Sequence, residues 1–158
     1  VPSRTSINML PATTIRLAEI ENIVGVKEAS GSLDHAHEII QNTPADFALL
    51  SGEDSLTYPL YCIGAKGAIS VTCNVAPKLC AEQYSAVSKD DFIRAREIHE
   101  QLYGLHQALF VETNPIPVKA ALSLMGLIEE EYRLPLVPLS SQYREQLKKV
   151  LTDKGLLF

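Results

Sequence analysis

A chain of 158 residues, 46% hydrophobic and 21% charged, suits one ordinary domain with its own core, and it has no apolar run of the 18 or more residues that span a bilayer. Its net charge of −5, without any run of Lys or Arg, offers no electrostatic footprint for nucleic acid and points to a small-molecule ligand. Cys62, Cys73 and Cys80 are odd in number and lack CxxC spacing, which argues against a disulfide framework and a zinc site; with no leader pattern after Val1, the cytoplasm is the expected compartment.

Val1-Pro2-Ser3-Arg4-Thr5 reads as the end of a strand. Apolar Leu10, Ile15, Leu17, Ala18 and Ile20, with Pro11 near the start, predict a helix over 10–21. Ile23-Val24-Gly25-Val26-Lys27 is short and β-branched, bounded by Asn22 and by Ser30-Gly31, as buried strands are. Ser32 is the N-cap candidate of a second helix that runs to Asn42, where Thr43-Pro44 stops it. Asp46 to Gly52 is a second buried strand, and helix follows to Ile63. Gly64-Ala65-Lys66-Gly67 is a turn, Ala68-Ile69-Ser70-Val71 a third strand, and 76–88 a third helix.

This alternation gives a parallel sheet covered by helices. After Lys89 the pattern changes: 91–110, 117–125 and 141–154 have helical spacing with no strand between them. Residues 1–89 are therefore expected to form β/α units, and 90–158 appended helices of the same domain. Three strands cannot close an eight-stranded barrel, which takes about 250 residues. The chain is then either an open α/β domain or a barrel without its first part, and Val1 to Thr5, read as a strand end cut off from its start, favours the second. The expected fold is α/β, the C-terminal part of a (β/α)8 TIM barrel with its N-terminal strands missing, plus a C-terminal helical extension.

Lys27 is the most informative residue. A lysine that ends an apolar strand of a parallel sheet lies at the carboxyl ends of the strands, where barrel enzymes work. Period-2 alternation puts Gly25 on the face of Lys27, leaving room beside its stem, with Val24 and Val26 on the other face. A dry setting lowers a lysine's pKa from about 10.4, and the neutral amine then attacks ketones. On spacing alone the same residue also fits a side chain snorkelling to solvent. Arg4 has a planar fork suited to a carboxylate, although a plain surface arginine fits equally. Ser51-Gly52-Glu53-Asp54 ends the second strand, where Gly52 permits close approach of a ligand to the main chain, and Glu53 and Asp54 suit a helix N-terminus. His35 and His37 point apart; His99 and His106 share a helix face without acidic or cysteine partners, so no metal is expected. No GxxxxGK[ST] or GxGxxG loop is present, so no nucleotide cofactor is indicated.

Val1-Pro2-Ser3-Arg4-Thr5, Ile23-Val24-Gly25-Val26-Lys27-Glu28-Ala29-Ser30-Gly31, Leu50-Ser51-Gly52-Glu53-Asp54, Gly64-Ala65-Lys66-Gly67-Ala68-Ile69-Ser70-Val71-Thr72 and Asn114-Pro115-Ile116-Pro117-Val118-Lys119 resemble, in order and spacing, successive motifs of the dihydrodipicolinate synthase family. The resemblance implies a Schiff-base lyase of lysine and diaminopimelate biosynthesis that condenses pyruvate with aspartate semialdehyde. It implies Lys27 as the Schiff-base lysine, Arg4 as the grip on the carboxylate of aspartate semialdehyde, and Gly52 and Ile69 as the lining of the pyruvate pocket. No cofactor or metal is required, and a homotetramer is implied for the complete enzyme. Sialic acid lyases share the lysine but not the Pro-Ser-Arg-Thr context; another 2-oxo acid aldolase and a non-catalytic barrel fragment are the other readings. Ser6 stands where the family usually has glycine. The family's proton-relaying threonine pair and tyrosines have no counterpart in this chain, which is expected to be inactive by itself.

Overall fold

The computed structural model describes residues 1–157. Contacts divide the chain into two compact units, one of Val1–Ser70 with Tyr84–Ala95 and one of Val71–Gln83 with the residues from Arg96 onward.

The first unit holds the sheet. Strands β1 (Gly25–Glu28), β2 (Ala48–Ser51) and β3 (Gly67–Ala68) are parallel and adjacent in the order β1-β2-β3. Gly25 lies opposite Ala48 and Glu28 opposite Ser51, and on the other side Ser51 lies opposite Ala68. Helices α1 (Pro2–Thr5) and α2 (Pro11–Leu17) precede β1, α3 (Leu33–Asn42) joins β1 to β2, and a 3-10 turn over Asp54–Leu56 leads into α4 (Thr57–Cys62) before β3. This is the βαβ arrangement that the alternating pattern predicts. The side chain of Ser32 accepts the backbone N–H of His35 at 3.2 Å, so the predicted N-cap is made. Ala36 and Ile39 of α3 and Phe47, Leu49, Leu60, Tyr61 and Ala65 are buried together, with Val26 packed against them.

The helix expected over 10–21 is shorter, α2 ending at Leu17, and Ile23-Val24, expected within a buried strand, precede β1 with Val24 72% exposed. Two further expectations change. Residues 2–5 form a helical turn instead of a strand end: Pro2 sets the φ of a first helical position, and Ser6 closes the turn in the left-handed region at φ 57°, its N–H donating to Pro2 O. That backbone conformation favours glycine at position 6 and costs a serine about 1 kcal/mol. The third strand is shorter than 68–71. Ile69 N–H still donates to Ser51 O at 2.7 Å, but the chain then leaves the sheet for a 3-10 turn at Thr72–Asn74.

The second unit is helical. Helices α5 (Pro77–Val87) and α6 (Phe92–Ala108) each contribute to both units; α7 (Ile116–Leu124) and α8 (Ser141–Asp153) belong to this one. Ile98, Leu102, Leu105 and Leu109 repeat at helical spacing along α6, and they are buried with Ala120 and Ala121 of α7 and with Leu147 and Leu151 of α8. A polar clasp holds the segment between α7 and α8. Arg144 reaches the Glu130 carboxylate at 2.7 Å, and the Tyr132 hydroxyl donates to the same carboxylate at 3.0 Å while lying 3.3 Å from Ile116 O. Lys119 Nζ sits 5.3 Å above the Tyr132 ring.

Candidate active site

Parallel strands in register bring their carboxyl ends to one edge of the sheet, and three of the four expected site residues lie there. Lys27 is opposite Leu50 in β1, Gly52 directly follows β2, and Ile69 directly follows β3. Two backbone bonds weld this edge: Gly52 N–H donates to Glu28 O at 2.7 Å, and Ile69 N–H to Ser51 O at 2.7 Å.

Lys27 is half-buried, and its amine makes no hydrogen bond or ion pair among the described residues. Its stem runs over Gly52. A methyl group added at Gly52 would stand 2.5 Å from Lys27 Cε and 2.9 Å from Cγ, well inside contact distance. Sequence alternation assigned this clearance to Gly25, and the structure corrects it. A Cβ at Gly25 would run into the carbonyl oxygen of Ala48, its partner across the β1–β2 pairing. Gly25 thus permits close strand pairing, and Gly52 makes room for the lysine.

Ile69 is 49% exposed, so its side chain is available at the strand edge. Arg4 is not drawn into that edge by any bond. It lies exposed on α1, and among the described residues its guanidinium makes no hydrogen bond or ion pair.

Two groups of supporting residues escape a reading by motif. Ser51 is 1% exposed; its Oγ lies 2.8 Å from Thr57 Oγ1 and donates to Glu53 O at 3.1 Å, which braces the turn that carries Gly52. The serine at the strand end followed by a threonine six residues on was the available signal. Glu28, next to Lys27, is 7% exposed, and its carboxylate accepts the N–H of Ser30 at 2.5 Å. Only a second charged residue directly after Lys27, at the end of a short strand, hinted at it.

Elsewhere the histidines follow the expected spacing: the rings of His99 and His106 lie 6.2 Å apart, and Thr72 Oγ1 is 2.8 Å from His106 Nδ1. Burial lowers the pKa of His99, with the Glu100 charge opposing. Among the described residues no group of three or more His, Cys, Asp or Glu is arranged to hold a metal ion, and no helix is long and apolar enough to cross a membrane.

Comparison with known proteins agrees with this architecture. The model of the dihydrodipicolinate synthetase family matches residues 1–154. A 4-hydroxy-tetrahydrodipicolinate synthase of Archaeoglobus fulgidus is 54% identical over 157 residues, which cover 99% of this chain and 54% of the relative. The crystal structure of dihydrodipicolinate synthase from Thermotoga maritima superposes with a TM-score of 0.97 at 48% identity, covering 99% of this chain and 55% of that one. A structure described as the first monomeric dihydrodipicolinate synthase variant gives a TM-score of 0.97 at 47% identity, with 99% and 54% covered. The chain spans about half the length of the curated relatives it matches. Its fold is α/β, part of the (β/α)8 barrel of these enzymes with a helical extension. An unpaired lysine over a glycine at the carboxyl edge of such a sheet thus occurs in a chain that belongs to the dihydrodipicolinate synthetase family.

Proposed function

We propose that this chain carries the nucleophile of a 4-hydroxy-tetrahydrodipicolinate synthase, a Schiff-base lyase that condenses pyruvate with aspartate semialdehyde. The observation that carries the reading is Lys27, a half-buried amine without a partner whose stem has a cleared path over Gly52. Residues 1–89 supply β/α units of the barrel and 90–158 the appended helices. The cytoplasm is the proposed compartment.

The neutral amine of Lys27 attacks the keto carbon of pyruvate, and water leaves to give an imine. The protonated imine draws electrons from the adjacent methyl carbon, which loses a proton and becomes an enamine. The enamine attacks the aldehyde of aspartate semialdehyde; ring closure by the substrate's own amine then displaces Lys27 and restores it. Because the imine itself stabilises the carbanion, the chemistry calls for no metal or organic cofactor. Gly52 lets pyruvate approach the main chain, Ile69 flanks it, and Arg4 pairs with the carboxylate of the aldehyde substrate by two parallel hydrogen bonds. The exposure of Arg4 supports such a role, since its donors are not committed elsewhere. Proton transfer to and from the intermediates falls to groups in the rest of the family's length. A homotetramer is the proposed assembly of the whole enzyme, with a monomeric variant known among the solved relatives.

The test is covalent. In the whole enzyme, meaning this chain completed to the family's length, pyruvate with borohydride is expected to leave a stable secondary amine on Lys27, located by peptide mapping. Lys66 and Lys119 are the internal controls, and Lys27→Ala is expected to abolish both label and turnover. Label on another lysine, or persistent turnover in Lys27→Ala, overturns the reading.

A further inference from the structure

Immediately beside Lys27 lies a carboxylate that the proposed chemistry does not use. Glu28 belongs to the same strand, so the two side chains leave on opposite faces, and Glu28 is buried on the side of α3. A buried carboxylate is costly unless hydrogen-bonded or paired, and an aliphatic side chain would pack there at lower cost. Its partners indicate what it holds. Oε1 accepts the N–H of Ser30 at 2.5 Å, and Oε2 lies 3.8 Å from His35 Nε2, with the two side chains 8% and 9% exposed.

The histidine extends the chain of contacts. His35 Nδ1 is 3.5 Å from Asn8 Nδ2. His35 Nε2 is buried without a hydrogen bond of its own, and the Glu28 carboxylate, 3.8 Å away, is the charged group that faces it. His35 is itself set in the first turn of α3 by the Ser32 cap, and Ser32 N–H donates to Ser30 Oγ at 3.2 Å. The main chain of Glu28 is tied at the same time to β2, since its carbonyl accepts Gly52 N–H at 2.7 Å. Glu28 thus joins the Lys27 strand to the Gly52 turn and faces the start of α3, and His35 in turn reaches the segment around Asn8, which follows the α1 turn that bears Arg4.

We infer that Glu28 and His35 are a positioning pair for the reaction proposed above. Glu28 fixes the strand end so that the amine of Lys27 keeps its path over Gly52. His35 couples that strand end, through Asn8, to the segment carrying Arg4. The inference rests on the proposed role of Lys27. It predicts a division of effects: loss of Glu28 disturbs imine formation, whereas loss of His35 disturbs capture of the second substrate.

The experiment uses the whole enzyme and three variants, Glu28→Leu, Glu28→Gln and His35→Leu, with two readouts: the rate of pyruvate-dependent borohydride labelling of Lys27, and the KM for aspartate semialdehyde. Glu28→Leu is expected to slow labelling about tenfold or more, because a small misplacement of a reacting group is costly. Glu28→Gln keeps an acceptor for Ser30 N–H and is expected to recover most of the labelling rate, a rescue that a general loss of folding would not show. His35→Leu is expected to label at close to the wild-type rate while its KM for the aldehyde rises about tenfold. If Glu28→Leu does not fold, Glu28→Gln and His35→Leu decide, and equal loss of both readouts in those two variants overturns the inference. Labelled wild type together with unchanged rates and KM in every folded variant overturns the positioning pair alone. Unlabelled wild type overturns the role of Lys27 and the pair with it.

Discussion

Two glycines, one in β1 and one just past the end of β2, are expected to fail in opposite ways when a single methyl group is added. At Gly52 the new Cβ would sit 2.5 Å from Lys27 Cε and 3.0 Å from Ala29 Cβ. Carbon atoms rest about 3.5–4.0 Å apart, so the end of the lysine must move by about 1 Å or more. A lysine stem is flexible and half-buried, so the cost to stability of Gly52→Ala is expected at the low end for overpacking, about 1 kcal/mol. Displacing a nucleophile by that distance costs about 10²-fold in rate. At Gly25 the obstruction is the backbone oxygen of Ala48 in the paired strand, with Ala48 Cβ at 3.1 Å, and it cannot swing aside. Gly25→Ala must part β1 from β2, at the high end of overpacking, about 3 kcal/mol. Thermal melting of both variants and the rate of borohydride labelling of Lys27 in the whole enzyme make the comparison. Gly52→Ala should melt close to the parent and label about a hundredfold more slowly, as the displacement estimate requires; Gly25→Ala should melt far earlier. Undiminished labelling in Gly52→Ala, or a Gly25→Ala variant as stable as the parent, would refute the reasoning from these contacts.

Three further outcomes are expected. Arg4→Ala should weaken use of aspartate semialdehyde by about 1.5–3 kcal/mol, the worth of a hydrogen bond to a charged group, and spare pyruvate imine formation; equal loss in both steps would make Arg4 a structural residue. Ser32→Ala removes the cap on His35 N–H and should cost about 1 kcal/mol in a urea titration. Tyr132 supplies an alkaline limb. Its pKa is pushed from 10.0 up to about 12, by burial first and then by the hydrogen bond and charge of Glu130, with Arg144 opposing. Because the folded state holds this proton more tightly than the unfolded chain, the contribution is whole below pH 10 and is lost as pH rises toward 12. Tyr132→Phe should flatten stability across that window, as followed by unfolding at stepped pH.

Much of the sheet side could be read in advance because it is local. The strand around Val26, the Ser32 cap and the stop before Pro44 follow from periodicity and side-chain chemistry within a few residues, and the structure places them close to where they were expected. The motif order was equally informative about family, since five segments had to match together. What escaped depends on neighbours distant in sequence. Alternation within β1 cannot tell that Gly25 faces Ala48 or that the Lys27 stem lies over Gly52, because both facts belong to the pairing of β1 with β2. The turn at Pro2–Thr5 was missed because so short a segment carries no period. The approach of Glu28 to His35, and of His35 to Asn8, links β1, α3 and the segment between α1 and α2, and no pattern within any one of them encodes it.

The parallel register also bears on how the chain acquires its structure. Gly25 cannot meet Ala48 until the whole of α3 has been folded back between them, and Leu50 meets Gly67 only after α4 has done the same. Closing those intervals costs entropy before any ladder bond returns it, which makes such pairings slow. A helix that is already capped shortens the search. On this view the Ser32 cap acts early: its loss should slow refolding more than it speeds unfolding, so that a residue remote from the lysine sets how fast the lysine's strand finds its partner.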